Sequence, residues 1–102
     1  MKQKDEWKPI GVVGVDSGTL MIGDPCYFDD EGWTKEDYDK HVCHMKGDHK
    51  QLNYERGHAG KGVLFTSGLG DGCYKVFAKM KDCGDWGKRI AEVKIVLIEE
   101  KQ

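Results

Sequence analysis

Apolar positions recur along the chain with two periods. Pro9–Val15 (PIGVVGV) is a short β-branched run bounded by turn formers and predicts a strand. Asp16-Ser17-Gly18 is a turn signal, and Thr19–Gly23 (TLMIG) predicts the return strand of a hairpin. Pro25 has no amide donor, so pairing ends or moves to an edge there. Thr34 with Asp37 three residues later resembles a capping box, and Tyr38, Val42 and Met45 follow at helical spacing. A helix is therefore expected over Lys35–Met45, stopping at Gly47. Residues 47–62 carry no period and read as a long mobile loop, tacked down by Leu52 and Tyr54. Beyond it GVLFTS and CYKVFAKMK predict strands, the second with Tyr74, Val76, Ala78 and Met80 on one face and Lys75, Phe77 and Lys79 on the other. RIAEVKIVLIEE places Ala91, Val93, Ile95 and Leu97 together and is expected to pair antiparallel with the preceding strand. The order ββαβββ is that of an α+β domain, one mostly antiparallel twisted sheet under one covering helix. A half-barrel or sandwich of the same strands is the topological alternative.

At 102 residues the chain has room for one domain, 1–102, with residues 1–8 expected as a frayed leader first anchored at Trp7. Sixteen basic against eighteen acidic residues give a net charge of −2. Nucleic-acid binders usually carry a basic excess, so no nucleic-acid partner is expected. Met1–Lys8 is charged and has no apolar run, which predicts neither a signal peptide nor a membrane partner and points to the cytoplasm. In that compartment Cys26, Cys43, Cys73 and Cys83 are expected as reduced, mostly structural thiols, and no C-x-x-C pair favours zinc.

The most informative feature is an echo. SGTLMIGDPCY (Ser17–Tyr27) and SGLGDGCY (Ser67–Tyr74) both read Ser-Gly, a spacer, then Gly-Asp-x-Cys-Tyr. Each Asp is suited to tying its own turn. If the two strand starts adjoin, Asp24 and Asp71 instead share a rim as an acid/base pair or a cation site, with Tyr27 and Tyr74 beside them.

These segments, with KRIAEVKIVLI (Lys88–Ile98), resemble a family of small bacterial and bacteriophage proteins known only as a domain of unknown function. Its pattern is V-D-[SA]-G, G-D-P-x-Y, then G-x-G-D-G-x-Y-x-V-[YF] and a closing strand. The resemblance covers the β segments and stops over Asp29–Lys61. In that family the cysteine positions vary to Thr or Ser, which implies that Cys26 and Cys73 are not essential nucleophiles. The phage association implies a role in evading host defence by sequestering a nucleotide.

Gly68, Gly70 and Gly72 suit either an anion-holding backbone nest or a bulged hairpin connection. RGHAGKG (Arg56–Gly62) is not a phosphate loop, because Glu55 stands where its first glycine belongs and Gly62 replaces the Ser or Thr that holds magnesium. It still presents Arg56, His58 and Lys61 on a loop suited to closing over an anion. Asp37, His41 and His44 share one helical face at metal-ligand spacing, with Cys43 and His49 nearby, but the apolar stripe claims the core side and no metal is expected. No serine-triad motif is legible. The expected function is non-enzymatic binding of an anionic small molecule, a nucleotide among the candidates, with no cofactor. The site would comprise Asp24, Tyr27, Arg56, His58, Lys61, Gly68, Gly70, Asp71, Gly72 and Tyr74. So small a domain has little space for an enclosed pocket, so a homo-oligomer is expected to complete it. The alternatives are an interaction module using strand edges and an enzyme built on Asp24 and Asp71.

Overall fold

The computed structural model describes residues 6–99. The fold is α+β, with strands β1 (Lys8–Val15), β2 (Thr19–Gly23), β3 (His49–Asn53), β4 (Ala59–Thr66), β5 (Gly72–Asp82) and β6 (Lys88–Ile95). They form two three-stranded antiparallel sheets, β1-β5-β6 and β2-β4-β3, where one sheet was expected. The chain divides into two compact units, Met1–Val15 with Gly72–Gln102 and Asp16–Asp71, each containing one of the sheets. The leader expected for residues 1–8 falls largely outside the described residues. Trp7 is held by Lys94 and Lys79, whose ammonium groups lie 4.3 and 5.0 Å from its ring centre.

The expected hairpin of β1 and β2 does not form. The turn between them is real, with the Ser17 hydroxyl donating to Thr19 O at 3.2 Å. However, β1 pairs with β5 from Lys8↔Ala78 to Val15↔Gly72, and β2 pairs with β4 from Thr19↔Thr66 to Gly23↔Gly62. Alternation identifies a strand and its faces; it does not name the neighbour. The expected β5–β6 pairing is present, with a register shift between Lys79 and Met80. That shift removes Ala91 from the predicted stripe and sets Ile90, Val93 and Ile95 opposite Met80, Ala78 and Val76.

In the Asp16–Asp71 unit, Leu64 on central β4 faces Met21 and Lys50, and only 1% of it is exposed. Trp33, Tyr38 and Val42 cover this side of the sheet around a hollow of about 160 Å³ that Leu64 also lines. The helix begins as expected: Thr34 Oγ1 accepts the Asp37 N–H at 3.2 Å, and the Asp37 carboxylate accepts the Thr34 N–H at 2.9 Å. After one α turn (α1, Lys35–Asp37) it widens into a π-helix over Tyr38–Cys43 and does not reach Met45. The segment expected as a loop over residues 47–62 is instead β3, a tight turn and the start of β4. The hydrogen-bonded ladder orders it, while only Leu52 of β3 is buried.

Candidate functional site

The β3–β4 hairpin builds one wall of a cleft. The Tyr54 N–H donates to His58 O at 2.9 Å, and the Gly57 N–H donates back to Tyr54 O at 2.8 Å. Gly57 closes this turn at φ +99°, a conformation that side chains disfavour. Glu55 and Arg56 are thereby carried exposed at the tip. The His58 ring stacks on Tyr54 at 4.6 Å, and the Tyr54 hydroxyl donates to Gly60 O at 3.2 Å.

The other wall follows β2. The Asp24 carboxylate accepts the Cys26 N–H at 3.1 Å and caps a 3-10 turn over Pro25–Tyr27. That turn sets Tyr27 edge-on to Tyr54, ring centres 5.3 Å apart. The Asp29 carboxylate accepts the N–H groups of Glu31 and Gly32 at 3.0 and 2.7 Å. Lys61 Nζ donates to Gly32 O at 3.1 Å and lies 5.7 Å from the Phe28 ring centre. Between these walls is an open cleft of about 560 Å³, lined by Tyr27, Gly32, Tyr54, Glu55, Arg56, His58 and Lys61. Arg56 and Lys61 against the one carboxylate of Glu55 suit an anion, and the rings offer apolar and π contact beside them.

Of the residues singled out from sequence, Tyr27, Arg56, His58 and Lys61 meet at this cleft. Asp24 stands behind it, positioning Tyr27 through the turn. The pairing of Asp24 with Asp71 is overturned. Asp71 has a carboxylate oxygen 3.8 Å from where a Cβ on Gly18 would stand, before β2, whereas Asp24 follows Gly23 at its far end. Five strand residues separate them by ~16 Å, too far to share a proton or a cation. Gly68, Gly70 and Asp71 likewise follow the end of β4 opposite the cleft. The Gly68 N–H donates to Thr66 O at 3.2 Å and the Gly70 N–H to Ser67 O at 2.8 Å, so these amides serve the loop rather than an anion nest. Gly72 and Tyr74 belong to β5, in the other unit. The echo is thus one of letters: its first copy starts a 3-10 turn and its second a strand. Its two Ser-Gly pairs do meet, the Ser67 N–H donating to Gly18 O at 3.0 Å. Sequence reasoning missed Tyr54 as a ring of the site and Gly32 as its floor; the apolar period that would mark a wall is absent there.

The histidine cluster is dispersed among other partners. Lys50 Nζ donates to His41 Nδ1 at 2.9 Å, His44 Nδ1 contacts Asp39 O at 2.8 Å, and Asp37 is held by Thr34. Among the described residues no three His, Cys, Asp or Glu side chains are grouped to hold a metal. His41 also stacks on Trp33 at 5.8 Å. Burial, then the charges of Lys50 and Lys40, hold its imidazole below the ordinary 6.5, outweighing the opposite pull of Asp37. Because the folded value lies below the unfolded one, this contribution to stability is complete above pH 6.5 and is lost as pH falls through the folded value. Acidification should lower the melting temperature of the wild type more than that of His41→Gln, as scanning calorimetry across that window would show. Equal slopes would remove His41 as the titrating group.

All four cysteines are free and exposed, so none serves as the buried apolar residue expected of a structural thiol. Partial desolvation and the Asp24 and Asp29 carboxylates push the Cys26 thiol up, which disfavours the nucleophilic thiolate. No helix among the described residues is long and apolar enough to cross a membrane. Comparison with protein-family models, curated proteins and solved structures finds no match.

Proposed function

We propose that the Tyr27–Tyr54 cleft binds an anionic small molecule bearing a flat ring, a nucleotide being the best fit. The observation that carries this reading is the convergence of Arg56 and Lys61 with the Tyr27, Tyr54 and His58 rings around about 560 Å³. That volume lies within the range of small-molecule sites. Phosphate would engage Arg56 at the turn tip and Lys61 at the floor, and the base would lie against the aromatic wall. One chain lines this cleft, which is open rather than enclosed. Binding without turnover is the activity assigned, with sequestration its simplest use.

Isothermal titration with a nucleoside and its mono- and diphosphate provides the test. Affinity should rise with phosphate, and Arg56→Ala or Lys61→Met should each weaken the phosphorylated ligand about tenfold, the scale of one lost charged hydrogen bond. A nucleoside bound as tightly as its phosphates, or no saturable heat with any of them, would sink the proposal.

A further inference from the structure

The net charge of −2, which argues against a nucleic-acid partner, is the sum of two unlike parts. The Asp16–Asp71 unit holds six basic and eleven acidic residues, net −5; the other holds ten basic and seven acidic, net +3. The positive excess is gathered further by the β1-β5-β6 sheet. Residues directly opposite in an antiparallel ladder share a face. Phe77 is opposite Lys94 and Pro9, Lys79 opposite Glu92, Lys81 opposite Arg89, and Lys75 opposite Val12. Five cations therefore lie on one face with a single in-register carboxylate, Glu92, which bridges Lys79 at 3.3 Å. Lys75 also lies 3.9 Å from Glu99.

The same face carries two rings. Lys94 Nζ lies 4.3 Å from the Trp7 ring centre and 5.7 Å from that of Phe77, which places Trp7 beside Phe77. Both rings are half-buried, whereas Lys75, Lys81, Arg89 and Lys94 are exposed. The cationic face runs from Lys75 to Lys81, a span of ~20 Å at strand spacing.

We propose that this face of the β1-β5-β6 sheet binds single-stranded nucleic acid. Cations flanking aromatic rings on an open sheet match a strand whose phosphates are regularly spaced and whose bases are free to stack. Duplex bases are already stacked on one another, so the rings give a duplex no such contact. Binding moves Lys94 from the rings to a phosphate and a base onto Trp7. The surface lies in a different unit from the nucleotide cleft and does not depend on it.

Fluorescence anisotropy of a labelled oligothymidylate of about 12 nucleotides, at low salt, tests this directly. The full chain should bind it with a log K against log salt slope of about −2 to −3, corresponding to three or four phosphates at about −0.7 each. Lys81→Glu alone, and Lys81→Glu with Lys94→Glu, should weaken binding, the pair by tenfold or more, while Arg56→Ala leaves it unchanged. Quenching of tryptophan emission on binding should disappear in Trp7→Leu. Circular dichroism confirms that each variant is folded, and Lys81 is exposed, so at least that variant reads the proposal. Equal affinity for a duplex, binding only to heparin or to phosphatidylserine vesicles, no binding at low salt, or retention by the charge-reversed variants overturns it.

Discussion

Leu64→Ala is expected to cost about 2–5 kcal/mol, the range for emptying a buried leucine site. Leu64 is only 1% exposed and occupies the central strand β4, between β2 and β3. Trp33, Tyr38 and Val42 lie beside it around the hollow of about 160 Å³. The shortened side chain would enlarge that hollow, and the loss grows with the volume left unfilled. The neighbouring Val63 points to the other side of the sheet and is 38% exposed, so Val63→Ala should cost much less. Urea unfolding of both variants, followed by circular dichroism, gives the comparison. Similar losses for Leu64→Ala and Val63→Ala would mean that this side of β4 is not the core of the unit.

The contrast between these adjacent residues shows what the sequence makes legible. Short apolar runs bounded by turn formers located β1, β2 and β4, while alternation located β5 and β6 and placed Lys75, Phe77 and Lys79 together on one face. The Thr34–Asp37 capping box was readable because both partners lie within one turn of chain. Strand partnership was not, since β1 finds β5 and β2 finds β4 across long intervening segments that carry no local signal. β3 escaped notice because HKQLN buries one side chain, Leu52, and one buried position makes no period. Arg56, His58 and Lys61 were singled out because their charges cluster within seven residues, Arg56–Gly62. Tyr54 and Gly32 were missed because their contribution is geometric: one stacks on His58, the other supplies a backbone oxygen to Lys61. The charge asymmetry between the units was equally invisible, since the two segments of the basic unit are separated in sequence by the whole acidic one.

Gly32 links the fold to the cleft, and Gly32→Ala should disturb both. A Cβ there would stand 2.2 Å from Tyr27 O and 2.7 Å from Tyr27 C, backbone atoms that no side-chain rotation can clear. The turn between Tyr27 and Gly32 must open, loosening the Asp29 carboxylate from the Gly32 N–H and Lys61 from the Gly32 carbonyl. A loss of about 1–3 kcal/mol follows, the scale of an overpacked site. In a domain of this size each kcal/mol lowers the melting temperature by about 4–8 °C. Gly14→Ala is the control, because its Cβ would meet nothing within 4 Å. It should leave stability within about 0.5 kcal/mol of the wild type. Tyr27 moves with the opened turn, so Gly32→Ala should also weaken the proposed nucleotide binding below its own melting transition, where the protein is still folded. Titration at that temperature separates displacement of the cleft wall from unfolding. Full affinity in a destabilised but folded Gly32→Ala protein would show that the ligand does not use the Tyr27 wall.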